Sequence, residues 1–358
     1  MWPKTIASQR LQIDYPIIQA GMAGGATSPQ LVAAVSRAGG LGTLGAGYMT
    51  AEQIRTAIRE IRRLTDRPFG VNLFLPEPYE VEQPNQDVAR VLNEIRNELG
   101  LAPDPEVTRF AEPFEEQMAA VLEERVPVFS STFGILEAEW VAELKRQGSV
   151  VIGTATTVRE AKALEESGVD MVVAQGSEAG GHRGSFLPDA ASNLIGTMAL
   201  VPQVADAVNL PVIAAGGIMD GRGIAAALAL GASAVQLGTA FLTCEESAAH
   251  VRHKHAILDS ADESTVITRV FSGKPARGIR NAFMDALAPY EQDVPVYPVQ
   301  NALTRDIRQA AAKQQRSDYL SMWAGQASPL SRAISAEELI QQLVRETAQV
   351  CRGLSICL

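Results

Sequence analysis

The chain has 358 residues, 46% of them hydrophobic and 20% charged, which is enough for one large elaborated domain or for two. Its net charge of -10 argues against a nucleic-acid-binding surface, because phosphate contacts need a basic footprint. Cys244, Cys351 and Cys357 have neither zinc-ligand spacing nor a disulfide framework; with no signal-like start and no apolar run of about 18 residues, a cytoplasmic protein without a membrane partner is expected.

Short apolar runs at 16–20, 41–45, 69–74, 126–132, 150–155, 171–175, 212–215 and 234–237 read as strands. Helical patterns lie between them at 29–37, 51–64, 137–146, 158–166 and 223–230. Strands that are apolar on both faces and alternate with helices predict a buried parallel sheet, and eight such units predict a closed (β/α)8 TIM barrel. Ser28-Pro29 gives one helix a cap followed by a proline in its first turn. Thr50-Ala51-Glu52-Gln53 has the form of a capping box, and Gly148 and Gly168 sit where helices should stop.

Two stretches break the rhythm. Residues 75–114 are long for a barrel connection and rich in proline and acid, with a helical piece at 88–99, so an excursion over the barrel mouth is expected. After His255 the alternation fades. The expected division is a barrel over 1–257, a lid or capping subdomain over 258–325 with a helix near 303–314, and a C-terminal segment, 326–358, whose helix at 336–347 packs back on the barrel.

The last two strands run into Gly216-Gly217 and Gly238-Thr239. Loops at these places in a barrel commonly hold a phosphate through backbone N–H groups, and Asp220-Gly221-Arg222-Gly223 then opens a helix. A phosphate-bearing cofactor is expected there, against the plainer reading of tight turns. Gly40 to Gly45 is a formal Gly-x-Gly-x-x-Gly, but a helix precedes it and 41–45 is itself the strand, so it does not read as a dinucleotide loop.

The strand at 171–175 leads into Gln175-Gly176-Ser177-Glu178-Ala179-Gly180-Gly181-His182-Arg183-Gly184. The glycines admit a flat ligand close to the backbone, and histidine exchanges protons near neutral pH. Position alone leaves His182 open between a catalytic and a structural role. His250, His253 and His255 read as a polar face on the outer flank of a helix rather than as metal ligands. Lys274, Arg277 and Arg280 form a basic stripe that either attracts an anionic substrate or is a solvated face.

The run from Pro16 through Gln19, Gly21 and Met22 to Gly25 resembles the first motif of the class I nitronate monooxygenases, formerly 2-nitropropane dioxygenases. A proline is usual in that family where Gly21 stands. The runs 39–48 and 68–74, the segment from Glu178 to Gly184, Tyr297-Pro298-Val299-Gln300-Asn301 and Trp323-Ala324-Gly325-Gln326 follow in the family's order, so the resemblance covers nearly the whole chain. It implies an FMN-binding barrel with a cap. The implied flavin contacts are Ala20, Gly21, Met22, Ala23, Asn72, Gln175, Gly180, Gly217, Gln236, Leu237, Gly238 and Thr239, and His182 matches the catalytic histidine.

The implied activity is oxidative denitrification of alkyl nitronates with O2, giving a carbonyl compound and nitrite, with propionate 3-nitronate as the expected substrate. His182 would remove the α-proton of a neutral nitroalkane or, in its protonated form, stabilise a preformed nitronate. The alternatives are an FMN-dependent NAD(P)H reductase acting on enoyl-acyl-carrier-protein or quinones, and a non-catalytic flavin carrier or regulator. The C-terminal motifs favour the monooxygenase. Oligomeric state and the choice between nitronate and nitroalkane substrates stay open.

Overall fold

The computed structural model describes residues 4–356 except 83 and 189; Cys357 and the first three residues lie outside that range. Its strands, in chain order, are β1 (Ile17–Gln19), β2 (Gly42–Gly45), β3 (Phe69–Phe74), β4 (Val128–Thr132), β5 (Val150–Ala155), β6 (Met171–Gln175), β7 (Gly181–His182), β8 (Val212–Ala215), β9 (Ala234–Leu237), β10 (Thr265–Thr268) and β11 (Ala276–Ile279). Eight of them form one parallel sheet in the order β1-β9-β8-β6-β5-β4-β3-β2. A parallel bridge from Ile18 to Leu41 joins its two ends, with Gln19 N–H donating to the Leu41 carbonyl and Leu41 N–H to the Ile17 carbonyl, each at 2.9 Å. The fold is therefore the expected (β/α)8 barrel.

Strand alternation builds two layers of core. Along β6, Met171 and Val173 point into the barrel, where they meet Ile18, Val128, Ile152 and Ile213. Val172 and Ala174 point outward to the layer between strands and helices, with Leu164, Leu200 and Val212. A short helix that the periodicity did not mark, Ile6–Arg10, contributes Ala7 to the inner cluster. Two further unmarked helices, Phe114–Glu123 and Thr197–Ala207, supply Met118, Val121, Leu200 and Val204 to the outer layer.

Local signals acted as their chemistry demands. Thr50 Oγ1 accepts from Gln53 N–H at 3.3 Å, and Gln53 Oε1 accepts from Thr50 N–H at 2.9 Å, so the capping box forms at the start of the helix Ala51–Leu64. The glycines from 40 to 45 are packing contacts rather than a phosphate loop. A Cβ on Gly42 would stand 2.1 Å from the Val32 carbonyl oxygen, and one on Gly45 would stand 2.4 Å from the Met22 carbonyl carbon.

The final helix runs over Ala336–Ile356, longer than the 336–347 expected, and packs against the helices Gly221–Ala229 and Pro29–Arg37. It thus occupies the outer-helix place that follows β9. The chain between Leu242 and Ala336 is inserted ahead of it and lies over the C-terminal ends of the strands. Helix Gln86–Glu98 from the first excursion shares a core with this insertion. Val88, Leu92 and Ile95 cluster with Ile257, Phe271, Phe283, Leu287 and Ile307. Arg96, 3% exposed, ties the two segments through Asp306 at 2.8 Å and the Leu303 carbonyl at 2.7 Å. Above the barrel, β10, β11 and β7 form a small antiparallel sheet that places His182 opposite Ala276.

Candidate active site

A cavity of about 790 Å3 opens between the C-terminal ends of the barrel strands and the inserted segments. That volume lies in the roughly 300–1,000 Å3 range of small-molecule and cofactor sites. Ala20 to Ala23, Asn72, Gln175, Gly180, His182, Gly217 and Gln236 to Thr239 all line it. Residues more than two hundred positions apart are brought together because strand ends converge at one mouth.

The histidine loop is held rigidly. Gln175 spans it, donating from Nε2 to the His182 carbonyl at 3.0 Å and accepting Gly184 N–H at Oε1 at 2.8 Å. Glu178 accepts Thr197 N–H at 2.9 Å and the Thr197 hydroxyl at 2.8 Å. Gly180 cannot carry a side chain here, since a Cβ would lie 2.6 Å from Ala324 C and Gly325 N. Pairing of β7 with β11 completes the frame.

Around the imidazole stand Phe133, Trp323, Tyr297 and Phe74, with ring centroids at 5.7, 5.5, 6.0 and 6.4 Å. Phe133 adopts φ +78°, a left-handed conformation that is costly for a bulky residue and often stored at functional sites. Burial, with the positive charges of Lys274 and Arg308, pushes the His182 pKa down to about 3. The ring is therefore neutral at physiological pH. Its Nε2 lies 2.8 Å from Ser272 Oγ, and the Ser272 hydroxyl donates to the Lys274 carbonyl at 3.1 Å. With the single hydroxyl proton directed to that carbonyl, Nε2 carries the imidazole hydrogen and Nδ1 is the basic atom.

The opposite side of the cavity is glycine-rich. Gly216 and Gly217 adopt φ +117° and +70°, which turns the β8 end sharply and brings backbone to the surface. A Cβ on Gly238 would meet only Met22 Sδ and Ala20 Cβ, at 3.6 and 3.7 Å. The helix at Gly221–Ala229 does not share in this anion-accepting surface. The Asp220 carboxylate already accepts Arg222 and Gly223 N–H, at 2.9 and 3.3 Å, and Gly221 N–H donates to Glu346 at 3.1 Å. Apolar Ala20, Met22 and Leu237 with polar Asn72 and Gln236 continue the lining. This donor set suits an elongated ligand with a flat ring and an anionic tail. A Cβ at position 21 would lie 2.6 Å from Asn72 Cβ, so glycine lets the Asn72 side chain sit against the first-motif backbone.

Two expectations need correction. His250 and His253 do not lie on an outer flank. His250 caps the helix Val251–Leu258, both line the cavity, and their Nε2 atoms reach the carbonyls of Ala312 at 3.1 Å and Trp323 at 3.0 Å. Burial holds the His253 pKa down to about 4. Only His255 is exposed. Among the described residues no group of three His, Cys, Asp or Glu could hold a metal ion. Nor do Lys274, Arg277 and Arg280 form a stripe. Lys274 pairs with Glu77 at 2.7 Å and lies 4.6 Å from the Phe133 ring centre, Arg277 is buried against the Ser177 carbonyl at 3.0 Å, and Arg280 pairs outside with Asp285 at 2.6 Å. Residue spacing in a strand and its turns sends neighbours to different faces.

Sequence reasoning missed Ser272, Phe133, Tyr48, Arg305 and Arg308. All except Ser272 line the cavity directly. Only Arg305 and Arg308, one turn apart on the helix Arg305–Lys313, are related by spacing; the others stand on separate loops.

A model of the family described as nitronate monooxygenase matches residues 4–346. The chain belongs to the nitronate monooxygenase family. A probable nitronate monooxygenase of Staphylococcus haemolyticus is 48% identical over 97% of this chain and 98% of its own length. One from Staphylococcus aureus strain Newman is 46% identical over 98% and 99%. Among solved structures, nitroalkane oxidase from Streptomyces ansochromogenes superimposes with a TM-score of 0.89 at 41% identity, covering 97% of this chain and 99% of that one. FabK from Thermotoga maritima gives 0.80 at 33%, covering 99% and 100%. This member of the nitronate monooxygenase family is thus an oxidoreductase on a TIM barrel, and no helix among its described residues is long and apolar enough to cross a membrane. Family membership supports flavin-dependent oxidation of nitronates.

Proposed function

We propose that the protein binds FMN and uses O2 to convert alkyl nitronates, propionate 3-nitronate among them, to a carbonyl compound and nitrite. The observation that carries this reading is a neutral imidazole, ringed by aromatic side chains, that faces the same cavity as the glycine-rich strand ends. Gly217, Gly238 and Thr239 would hold the phosphate through backbone N–H groups, and Ala20 to Ala23, Asn72, Gln175, Gly180, Gln236 and Leu237 would surround the ring system. FMN when bound supplies the electron chemistry that amino-acid side chains lack.

The remaining work falls to the chain itself. His182 Nδ1 takes the α-proton of a nitroalkane, which needs the neutral form that burial secures. The resulting imidazolium and nitronate form an ion pair. A substrate supplied already as nitronate needs no such transfer, so His182 then acts through its position and its hydrogen-bonding capacity. Phe74, Phe133, Tyr297 and Trp323 exclude water from the imidazole. The cap made by 75–114 with 258–325 closes the mouth.

The test is oxygen uptake and nitrite release by purified yellow protein given propionate 3-nitronate, with and without NADPH. Turnover without NADPH supports the monooxygenase. Rapid anaerobic bleaching by NADPH, with no nitronate turnover, would replace it by a nicotinamide-dependent reductase. His182→Asn should lower turnover of a neutral nitroalkane by about 10²–10⁴-fold while flavin stays bound. Undiminished turnover would remove His182 from proton transfer.

A further inference from the structure

One ion pair crosses from the first excursion to the inserted segment beside the imidazole. Lys274, just ahead of β11, places its ammonium 2.8 and 2.7 Å from the two carboxylate oxygens of Glu77, just beyond β3. The Lys274 side chain is 12% exposed and that of Glu77 31%, so the cation is the inner member of the pair. The ammonium also stands 4.6 Å from the centre of the Phe133 ring, and that ring meets His182 edge-on with centroids 5.7 Å apart. The main chain of Lys274 reaches the same imidazole by a second route, since its carbonyl accepts the Ser272 hydroxyl that touches Nε2. Neither Lys274 nor Glu77 is among the residues that line the cavity.

Among the described residues, the charges that act on His182 are those of Lys274 and Arg308, and both disfavour its protonation. Arg308 is held by the carbonyls of Asn301 and Thr304, at 2.6 and 3.3 Å, whereas Lys274 is balanced by a carboxylate. Tyr297, packed on the same imidazole, keeps its proton, because burial and the Tyr48 hydroxyl raise its pKa. A cation near the site has two effects of opposite sign. It attracts an anion into the cavity, and it makes the imidazolium harder to form. A neutral nitroalkane meets both effects at once. Its C–H bond breaks, the electron pair stays on the substrate as nitronate, and the proton forms a new bond to His182 Nδ1. A substrate that arrives as the nitronate meets only the attraction.

We infer that the Lys274–Glu77 pair is a specificity-determining element that sets how strongly the site prefers a substrate arriving as a nitronate over the neutral nitroalkane. The inference rests on the nitronate reading and deepens it. Lys274 supplies the preference, and the Glu77 carboxylate limits it. Neither residue touches the reacting atoms; both act through their field and through the placement of Phe133 and Ser272.

The experiment compares the holoenzyme with Glu77→Gln, Lys274→Met and the double variant on propyl-1-nitronate and 1-nitropropane, which differ by one proton. The ratio of kcat/KM for the nitronate over the nitroalkane should rise at least about fivefold in Glu77→Gln and fall at least about fivefold in Lys274→Met. The double variant loses one charge of each sign, so its ratio should lie between those of the single variants. Equal changes on both substrates would overturn the inference, because a pair that merely holds the cap in place gives that result. So would a double variant whose ratio lies outside the range of the two single ones. Glu77 is partly exposed, so Glu77→Gln decides the matter if Lys274→Met fails to fold. Nitrate, a planar anion that needs no turnover, is titrated into the same proteins by calorimetry. Its Kd should fall in Glu77→Gln and rise in Lys274→Met; equal values, or no binding to any of the proteins, would also overturn the inference. If the wild type turned over neither nitro compound, the proposed function would fail, and the nitrate titration would still decide the charge balance.

Discussion

The two sides of the cavity are built from different materials. On the barrel side, Gly216, Gly217 and Gly238 present backbone at the ends of β8 and β9. On the cap side, and on the barrel loops after β2 and β4 that reach toward it, the lining is made of side chains: Tyr48, Phe133, Trp323, Arg305 and Arg308, with Lys274 and Ser272 behind His182. Backbone fixed by a closed sheet gives a permanent, nearly invariant surface, suited to a ligand that never leaves. Side chains on loops and short helices can differ in shape and charge without disturbing the barrel, and suit a ligand that turns over. The contrast predicts that damage to the barrel side removes the cofactor, while damage to the cap side changes turnover and selectivity.

The largest effect that tests this contrast is expected from Gly217→Val. Its φ of +70° is unfavourable for a β-branched residue, and the new Cβ would press on Glu178 Cβ at 3.3 Å. The purified variant should contain little flavin, as absorbance near the flavin band will report. Full flavin content would break the assignment of that side to the cofactor. Ser272→Ala should act in the opposite sense. Flavin stays bound, and turnover of a neutral nitroalkane falls about 2- to 10-fold, the worth of one neutral hydrogen bond that orients the imidazole and fixes its tautomer. Ser272→Thr should restore it. Equal rates in alanine and wild type would show that the aromatic walls alone hold His182.

The smallest effect concerns pH. His182 and His253 have pKa values of about 3 and 4 when folded, below the value of about 6.5 that each has unfolded. Below about pH 6.5 the unfolded chain binds protons that the folded chain refuses, so stability is lost as pH falls from about 6.5 toward 4 and then 3. The denaturation midpoint of the apoprotein should drop over that interval. His253→Gln should flatten part of the drop, and an unaltered curve would show that His253 is solvated in the native state.

Much of the barrel was legible in the residues. Five strands, β3, β5, β6, β8 and β9, fall where the apolar runs place them, because a strand buried on both faces needs an uninterrupted run and a turn at each end. The thirteen residues expected at the site all line one cavity, since chain order along a parallel barrel fixes which loops meet at its mouth. What stayed hidden was everything decided by contacts distant in sequence. The placement of His253 against the Trp323 carbonyl, the dispersal of Lys274, Arg277 and Arg280, and the turning of Asp306 toward Arg96 rather than Arg308 depend on how the cap settles on the barrel. Periodicity and turn chemistry are local and could specify the strands and the mouth; charge pairing and burial are properties of neighbours in space, and only the folded chain could say which cations were left facing the cavity.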